Sequence, residues 1–291
     1  MLRYTGSTAS EYSALPAFEI VGDDANSFPV RREFCSDALF PLPDAGPACA
    51  KLSNPLARKL EHFAHLSAAE FNALDALLPA PKFLGAGQIL IHERSPSEHV
   101  YLIVQGMACR YKLLPGGERQ ILGYLIPGDL CDIHFIAINE PDHSVALLSD
   151  AQVIKIPAHR LGALLESHPR IERALSYAAL LDMAILREWL LNVGQRNAKQ
   201  RLSHFFCEME LRLRRIDKVA EDGSFEMPIN QRALADTTGI TPVHVNRTLQ
   251  RLRNDGLILL SHRRLAIVDR EQLAAVAGFD DNYLQIRNYV K

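Results

Sequence analysis

The sequence predicts an α+β protein built from an antiparallel β-roll of jelly-roll type, a long helix and a winged helix-turn-helix domain. Short β-rich runs such as QILIH, HVYLIVQG and AQVIKIP fill residues 82–157, and glycine and proline turns separate them. A helical pattern follows His168-Pro169, and the last third of the chain alternates helices around a tight glycine turn. Regular short strands are typical of an antiparallel sandwich or barrel. The change from alternating to helical spacing of the apolar residues near His168 marks where the strands end and the helices begin.

The composition is that of a globular chain able to bury a core. Of the 291 residues, 48% are hydrophobic and 23% are charged. No apolar run reaches the roughly 18 residues that span a bilayer, and the N-terminus lacks the basic and apolar stretches of a secretion signal. The sequence therefore predicts a cytoplasmic protein without a membrane partner.

The cysteines predict neither a disulfide framework nor a metal site. They stand at positions 35, 49, 109, 131 and 207, an odd number with no C-x-x-C pair. We expect reduced thiols and no bound metal.

The length predicts more than one domain. We interpret residues 1–55 as a poorly ordered N-terminal arm, 56–165 as a β-roll sensor domain, 166–195 as a dimerisation helix and 196–291 as a DNA-binding domain. Residues 1–195 carry 16 Lys and Arg against 22 Asp and Glu, whereas residues 196–291 carry 16 against 12. A basic C-terminal part on an acidic chain indicates a polyanion partner.

The long helix carries an apolar stripe with spacings of three and four residues, close to that of a coiled-coil seam. We predict that this stripe is a dimer interface, because its small residues would allow another helix to approach closely; the alternative is that it packs on the sheet of its own chain. Its members are Ile171, Ala174, Ala178, Leu181, Ile185 and Trp189.

Residues 229–260 have the spacing of a helix-turn-helix. Asn230 can cap a first helix, Gly239 permits the tight turn, and Thr241-Pro242 supplies the cap and first residue of a second helix. In that second helix one face, with Val245, Leu249 and Leu252, can pack inward. The outer face is left with Val243, His244, Asn246, Arg247, Gln250 and Arg251.

The outer residues suit the major groove of DNA. A bidentate Arg matches the acceptors of guanine, and Asn or Gln matches adenine, so we expect Arg247 to read a base and Asn246 and His244 to contact bases or phosphate. The strands GLILL and LAIVD around S-H-R-R indicate a wing. Phosphate contacts are expected from Arg251, Arg253, Arg263 and Arg264.

With these features in place, residues 60–275 resemble the Crp/Fnr superfamily of bacterial regulators. The most specific likeness is G-I-T-P-V-H-V-N-R-T-L-Q-R-L-R, from Gly239 to Arg253. The resemblance implies a homodimer that reads a palindromic TTGA-like site through Arg247 and contacts RNA polymerase. Fnr-like members have Glu where this chain has Val243, which predicts an altered preference within the half-site.

The resemblance also implies a sensor of the cyclic-nucleotide-binding type. Gly128-Asp129 matches the acidic end of its cassette, but His143-Ser144 stands where the family has an Arg-Ser pair. Losing Arg removes the two-pronged phosphate donor, which argues against cyclic AMP.

Two other cofactors of the family fit the sequence poorly. The N-terminal cysteine run of Fnr-type iron-sulfur proteins is absent, and Ile154 stands at the remaining ligand position. Haem-containing members carry a Cys and a His near Cys131 and His134, but the Cys is displaced by one residue, which on a strand reverses its face. The tentative effector pocket therefore comprises Gly128, Asp129, Cys131, His134, His143 and Ser144.

An enzyme is not predicted, because the sequence has no P-loop, G-x-S-x-G or H-E-x-x-H. The competing hypothesis is a dimeric sensor module that binds haem or a nucleotide and does not read DNA. Replacing Arg247 by Ala would separate the two.

Overall fold

The computed structural model describes residues 54–131 and 140–284, which lie within one compact unit spanning residues 45–291. Almost all of the predicted arm, and His134 of the predicted effector pocket, lie outside the described residues. No helix in the described part of the chain is long and apolar enough to cross a membrane.

The described elements follow the predicted order of β-roll, long helix and helix-turn-helix. The helices are α1 (Pro55–Leu60), α2 (Ala68–Leu77), α3 (Ala158–Ser167), α4 (Pro169–Gln195), α5 (Ala198–Arg214), α6 (Gln231–Thr238), α7 (Pro242–Asn254) and α8 (Arg270–Ala277), with a 3₁₀ turn at Asp281–Leu284. The strands are β1 (Lys82–Leu84), β2 (Ile89–Ile91), β3 (His99–Gln105), β4 (Ala108–Leu113), β5 (Arg119–Leu125), β6 (Leu130–Cys131), β7 (Ser144–Leu147), β8 (Ala151–Pro157), β9 (Ser224–Glu226), β10 (Ile258–Ser261) and β11 (Arg264–Ile267). The predicted α+β class is confirmed.

The β-roll consists of two four-stranded antiparallel sheets, in the orders β1-β8-β3-β6 and β2-β7-β4-β5. Between them lies a core that includes Ile103, Leu125, Val145 and Val153. These residues are buried because alternate side chains of each strand point to the inner face of its sheet.

The capping signals in the sequence start the helices. Ser67 and Glu70 form the predicted capping box at α2, in which the Ser67 hydroxyl accepts from the Glu70 amide and the Glu70 carboxylate accepts from the Ser67 amide. Pro169 occupies the first turn of α4, where its missing N–H costs no hydrogen bond.

The C-terminal domain packs directly against the outer face of the β4-β5 hairpin. Tyr124 of β5 lies in one hydrophobic cluster with Phe205 of α5 and Leu249 of α7. The Tyr124 hydroxyl is 2.6 Å from the Thr237 hydroxyl. The helix-turn-helix is therefore fixed to the β-roll through α6, a contact that sequence patterns did not indicate.

Candidate nucleic-acid interface

The helix-turn-helix forms from the residues that the sequence singles out. Asn230 caps α6 by accepting from the Ala233 amide at 2.8 Å, and Gly239 ends it with a left-handed φ of 66°. Thr241 caps α7 by accepting from the His244 amide at 3.2 Å. The turn can be this tight because a glycine adopts the left-handed conformation without steric cost.

Helix α7 has one buried and one exposed face, as predicted. Val245, Leu249 and Leu252 are fully buried, whereas Val243 is 70% exposed. The other outward residues are also exposed: His244, Asn246, Arg247, Gln250 and Arg251. The side chains with base-reading chemistry therefore lie on the solvent side of the helix, although their contact with DNA stays a prediction.

Two of the arginines predicted to meet phosphate differ in their surroundings within the protein. An Nη atom of Arg264 donates to the Ser224 hydroxyl at 2.7 Å, and the Nε of Arg253 is buried. Arg264 is nevertheless exposed and Arg253 is half-buried, so the contact of both with phosphate stays a prediction. Arg263 and Arg251 are exposed.

The wing ends in a two-residue turn whose residues both have left-handed backbones. Strands β10 and β11 pair from Ile258–Ile267 to Ser261–Arg264, which leaves His262 and Arg263 as the loop, with φ values of 47° and 61°. Such a turn usually holds Asn-Gly, because non-glycine residues are strained there. The wing thus presents two exposed polar side chains at its tip.

The predicted dimer seam on α4 is wrong for most of its members. Ile171 and Ala174 are fully buried within the chain, and Ile185 and Trp189 retain only 6% and 5% exposure; Ala178 and Leu181 are partly buried on the same side. The small residues admit this chain's own α1, since Leu56 and Leu60 share a cluster with Ile171. A different face is exposed, with Leu180, Met183, Leu186, Leu190 and Leu191.

Comparisons with known proteins agree with this architecture. Residues 81–168 match the family described as the cyclic nucleotide-binding domain, and residues 200–276 match the Crp-like helix-turn-helix domain. The nitrogen fixation regulation protein FixK of Bradyrhizobium diazoefficiens is 27% identical over 73% of this chain and 88% of its own length. The transcriptional activator protein Anr of Pseudomonas aeruginosa is 23% identical over 73% of this chain and 86% of its own.

The chain belongs to the Crp/Fnr family. Among solved structures, FixK2 from Bradyrhizobium japonicum has the same fold, with a TM-score of 0.62 and 22% identity over 70% of this chain and 98% of that chain. A CooA mutant from Carboxydothermus hydrogenoformans gives a TM-score of 0.54 and 17% identity over 73% of this chain and 91% of its own.

In the described part of this Crp/Fnr protein, the two cavities beside Asp129 bring together only Gly128 and Asp129 of the predicted effector residues. Two neighbouring cavities are lined by Asp129, and neither includes Cys131, His143 or Ser144. Cys131 is fully buried in the core of the β-roll. The Ser144 hydroxyl accepts from the Glu93 amide at 2.9 Å. The Cys131 and Ser144 side chains thus contribute to the packing and hydrogen bonding of the β-roll, and their part in an effector site stays a prediction.

His143 is also engaged by its neighbours. Its Nδ1 is 2.7 Å from a carboxylate oxygen of Asp142, and its side chain is only 11% exposed. A single imidazole cannot replace the bidentate guanidinium that the cyclic-nucleotide cassette uses, so the residues at this position do not fit a cyclic phosphate.

Gly128-Asp129, read from the sequence as part of the cassette, is instead the centre of a buried ion cluster. Asp129 contacts Lys59 of α1 through one oxygen and lies 3.3 Å from Arg212 of α5 through the other. These cations hold the pKa of Asp129 below its usual value although burial opposes them. Gly128 has a φ of 93°, and a Cβ there would lie 2.8 Å from the Pro55 carbonyl oxygen.

Sequence reasoning missed a second set of buried polar groups where α4, α5 and the C-terminal turn meet. Glu208 is fully buried and accepts from Trp189 and from the Tyr283 hydroxyl, both at 2.9 Å. Burial raises the pKa of Glu208 against the opposing charge of Arg212. The only sequence signal is the spacing Glu-x-x-x-Arg on α5, and the same spacing is typical of a solvent-exposed ion pair on a helix.

Proposed function

We propose that the chain is a sequence-specific DNA-binding transcription regulator that acts as a homodimer on a palindromic TTGA-like site and responds to a signal received at its β-roll domain. The observation that carries the proposal is the outer face of α7, where Arg247, Asn246 and Gln250 stand exposed at the second helix of a helix-turn-helix. These are the side chains that recognise guanine and adenine in the major groove.

The experiment is fluorescence anisotropy of the purified chain on a duplex with TTGA and TCAA half-sites and on a scrambled duplex, over a salt series. We expect Arg247→Ala to lose about 1–3 kcal/mol of binding per half-site on the specific duplex only. The matched control is Arg251→Ala, which should weaken both duplexes alike and reduce the salt slope, since phosphate contacts carry no sequence information. Equal affinity of the parent chain for both duplexes would contradict sequence reading and favour the sensor module without DNA-reading function.

The homodimer is proposed to form through the exposed apolar face of α4. Leu190 is 75% exposed, and Leu180, Met183 and Leu186 are each more than half exposed; a monomer rarely leaves so much contiguous apolar surface in water. A two-fold symmetric DNA site requires the two recognition helices of the dimer to lie about 34 Å apart.

The test of the dimer is Leu190→Glu, compared with Leu259→Glu in the wing. Burying a leucine is worth about 1.5–3 kcal/mol, and the dimer contains two copies, so Leu190→Glu should weaken association by at least 100-fold, or about 3 kcal/mol. Leu259 is 55% exposed and lies away from α4, so its variant should remain dimeric. Light scattering over a dilution series measures both, and an unchanged dimer in Leu190→Glu would contradict the proposed interface.

Relatives are named as transcriptional activators, and by analogy we include contact with RNA polymerase in the cytoplasm in this proposal. Regulation rather than catalysis is the proposed activity.

A further inference from the structure

A second candidate site lies where α1, α4 and α5 meet, apart from the outer face of α7 that we propose binds DNA. A cavity of about 40 Å³ opens there, which is room for a few water molecules or one small anionic group. Its polar lining consists of four basic side chains and two carboxylates: Lys59, His62, Arg212, Arg215, Asp129 and Asp182. The remaining wall is apolar.

The two carboxylates are already neutralised. Asp129 contacts Lys59 and lies 3.3 Å from Arg212. Asp182 receives a hydrogen bond from Arg110 at 3.1 Å. Neither carboxylate is left to balance a further cation.

Arg215 is the cation of this cavity that makes no direct ion pair among the described residues. In the parts of the chain that the structure describes, no carboxylate oxygen lies within 4.0 Å of its guanidinium, and its one hydrogen bond goes to the Leu284 carbonyl oxygen at 3.3 Å. Burial, and next the charge of Arg212, lower the pKa of Arg215, while the charge of Asp281 opposes them only in part. Partly buried charges in proteins are normally paired, because removing them from water is costly.

We propose that this cavity binds a small oxyanion, a phosphate or carboxylate group, that serves as the counter-ion of Arg215 and Arg212. A guanidinium presents parallel N–H donors that match two oxygens of either group. Arg212 lies on α5 and Arg215 caps its C-terminal end, in the C-terminal domain, while Lys59 and Asp182 lie on α1 and α4. The anion therefore bridges the two domains and stabilises the arrangement in which they are docked.

The chain contains its own reporter of binding. Trp189 is the sole tryptophan, and it donates to Glu208, whose carboxylate is 3.4 Å from Arg212. An anion that draws Arg212 into the cavity weakens this ion pair, so the emission of Trp189 should change on binding.

The test is titration of the full chain with sodium phosphate and sodium malonate, followed by calorimetry and Trp189 fluorescence, with sodium chloride at matched ionic strength. Saturable binding of either oxyanion, but not of chloride, is expected. Arg215→Met removes the positive charge, whereas Arg215→Lys keeps the charge but lacks the parallel N–H donors of a guanidinium. Both variants should bind the oxyanion at least about tenfold more weakly than the parent chain does. Arg215→Lys guards against a folding defect in the first variant, since it retains the charge at the same position.

The matched control is Arg214→Met, one residue earlier at the last position of α5 and outside the cavity lining. It should bind as the parent does. A response to phosphate alone identifies a phosphate site, and a response to both anions identifies a general oxyanion site. No saturable binding, equal binding by the Arg215 variants, or an equal loss in Arg214→Met would overturn the proposal.

Discussion

Replacing Arg212 by Met tests whether the buried ion cluster holds the two domains together. The Arg212 guanidinium donates to the Tyr124 carbonyl oxygen at 2.8 Å, to Asp129 at 3.3 Å and to Glu208 at 3.4 Å. Tyr124 and Asp129 belong to the β-roll side and Glu208 to α5. The substitution removes this link and leaves two carboxylates buried.

The substitution leaves the two carboxylates with different remaining partners. Asp129 keeps Lys59 and the Ile126 amide. Glu208 keeps neutral donors but loses the cation beside it. Removing one partner of a buried ion pair costs about 3–5 kcal/mol, and we expect about 3 kcal/mol because only Glu208 is left without a cation and it can take up a proton.

Proton uptake gives the cost a distinctive pH dependence. Burial already raises the pKa of Glu208 in the parent chain, and losing Arg212 should raise it further. A carboxyl whose folded pKa lies above its unfolded value near 4.5 loses stability as pH rises between the two values. The deficit of Arg212→Met should therefore be smaller at pH 5 than at pH 8.

The assay is urea unfolding at fixed protomer concentration, followed by circular dichroism, for Arg212→Met, Glu208→Gln and the double variant. Arg212→Met should cost less in the Glu208→Gln background, because no buried charge is then stranded. Arg214→Met is the control, since the buried Glu210 retains Arg270 at 3.3 Å, so this substitution leaves no carboxylate without a cation. A cost for Arg212→Met below about 1 kcal/mol, or the same cost in both backgrounds, would refute the reasoning.

Two further perturbations probe other buried positions. Burial and the charge of Arg196 lower the pKa of His204 in the folded chain to about 3. The neutral histidine therefore makes its full contribution to the free energy of unfolding above the unfolded pKa near 6.5. Below that pH the contribution decreases by about 1.4 kcal/mol for each pH unit. His204→Phe, which keeps the ring packing, should therefore flatten the unfolding free energy between pH 6.5 and 4.5 by roughly 2–3 kcal/mol, and an unaltered slope would exclude this role. Gly128→Ala should lower the melting temperature more than Gly117→Ala, because φ is near 90° at both but only at Gly128 would a Cβ meet backbone, 2.8 Å away; equal shifts would show that the contact costs nothing.

The helix-turn-helix could be predicted in detail because its determinants are local. Asn230, Gly239 and Thr241 act on residues within one helical turn of themselves. The inward and outward faces of α7 follow from helical spacing alone, and only one of them is apolar. Sequence spacing is sufficient where the structure depends on neighbours in the chain.

The long helix shows where that reasoning ends. Helix α4 is apolar on two sides, one of which is covered by α1 while the other is exposed. Spacing identifies both stripes but does not state which side another part of the same chain will occupy. Asp129 presents the same problem: its partners Lys59 and Arg212 are 70 and 83 residues away, so nothing near it in the sequence indicates an ion cluster.

The way in which the C-terminal domain is attached leaves its recognition face available. The β-roll holds α6, through Arg119 to Asp236 at 2.8 Å and through Tyr124 to Thr237, whereas the outer side chains of α7 take no part in that contact. Helices α6 and α7 share a buried cluster with α5, and packed interiors transmit displacement because they are dense and hardly compressible. A shift of β5 must therefore move α6 and α7 together, which changes the position of the recognition helix without altering the side chains that it presents to DNA.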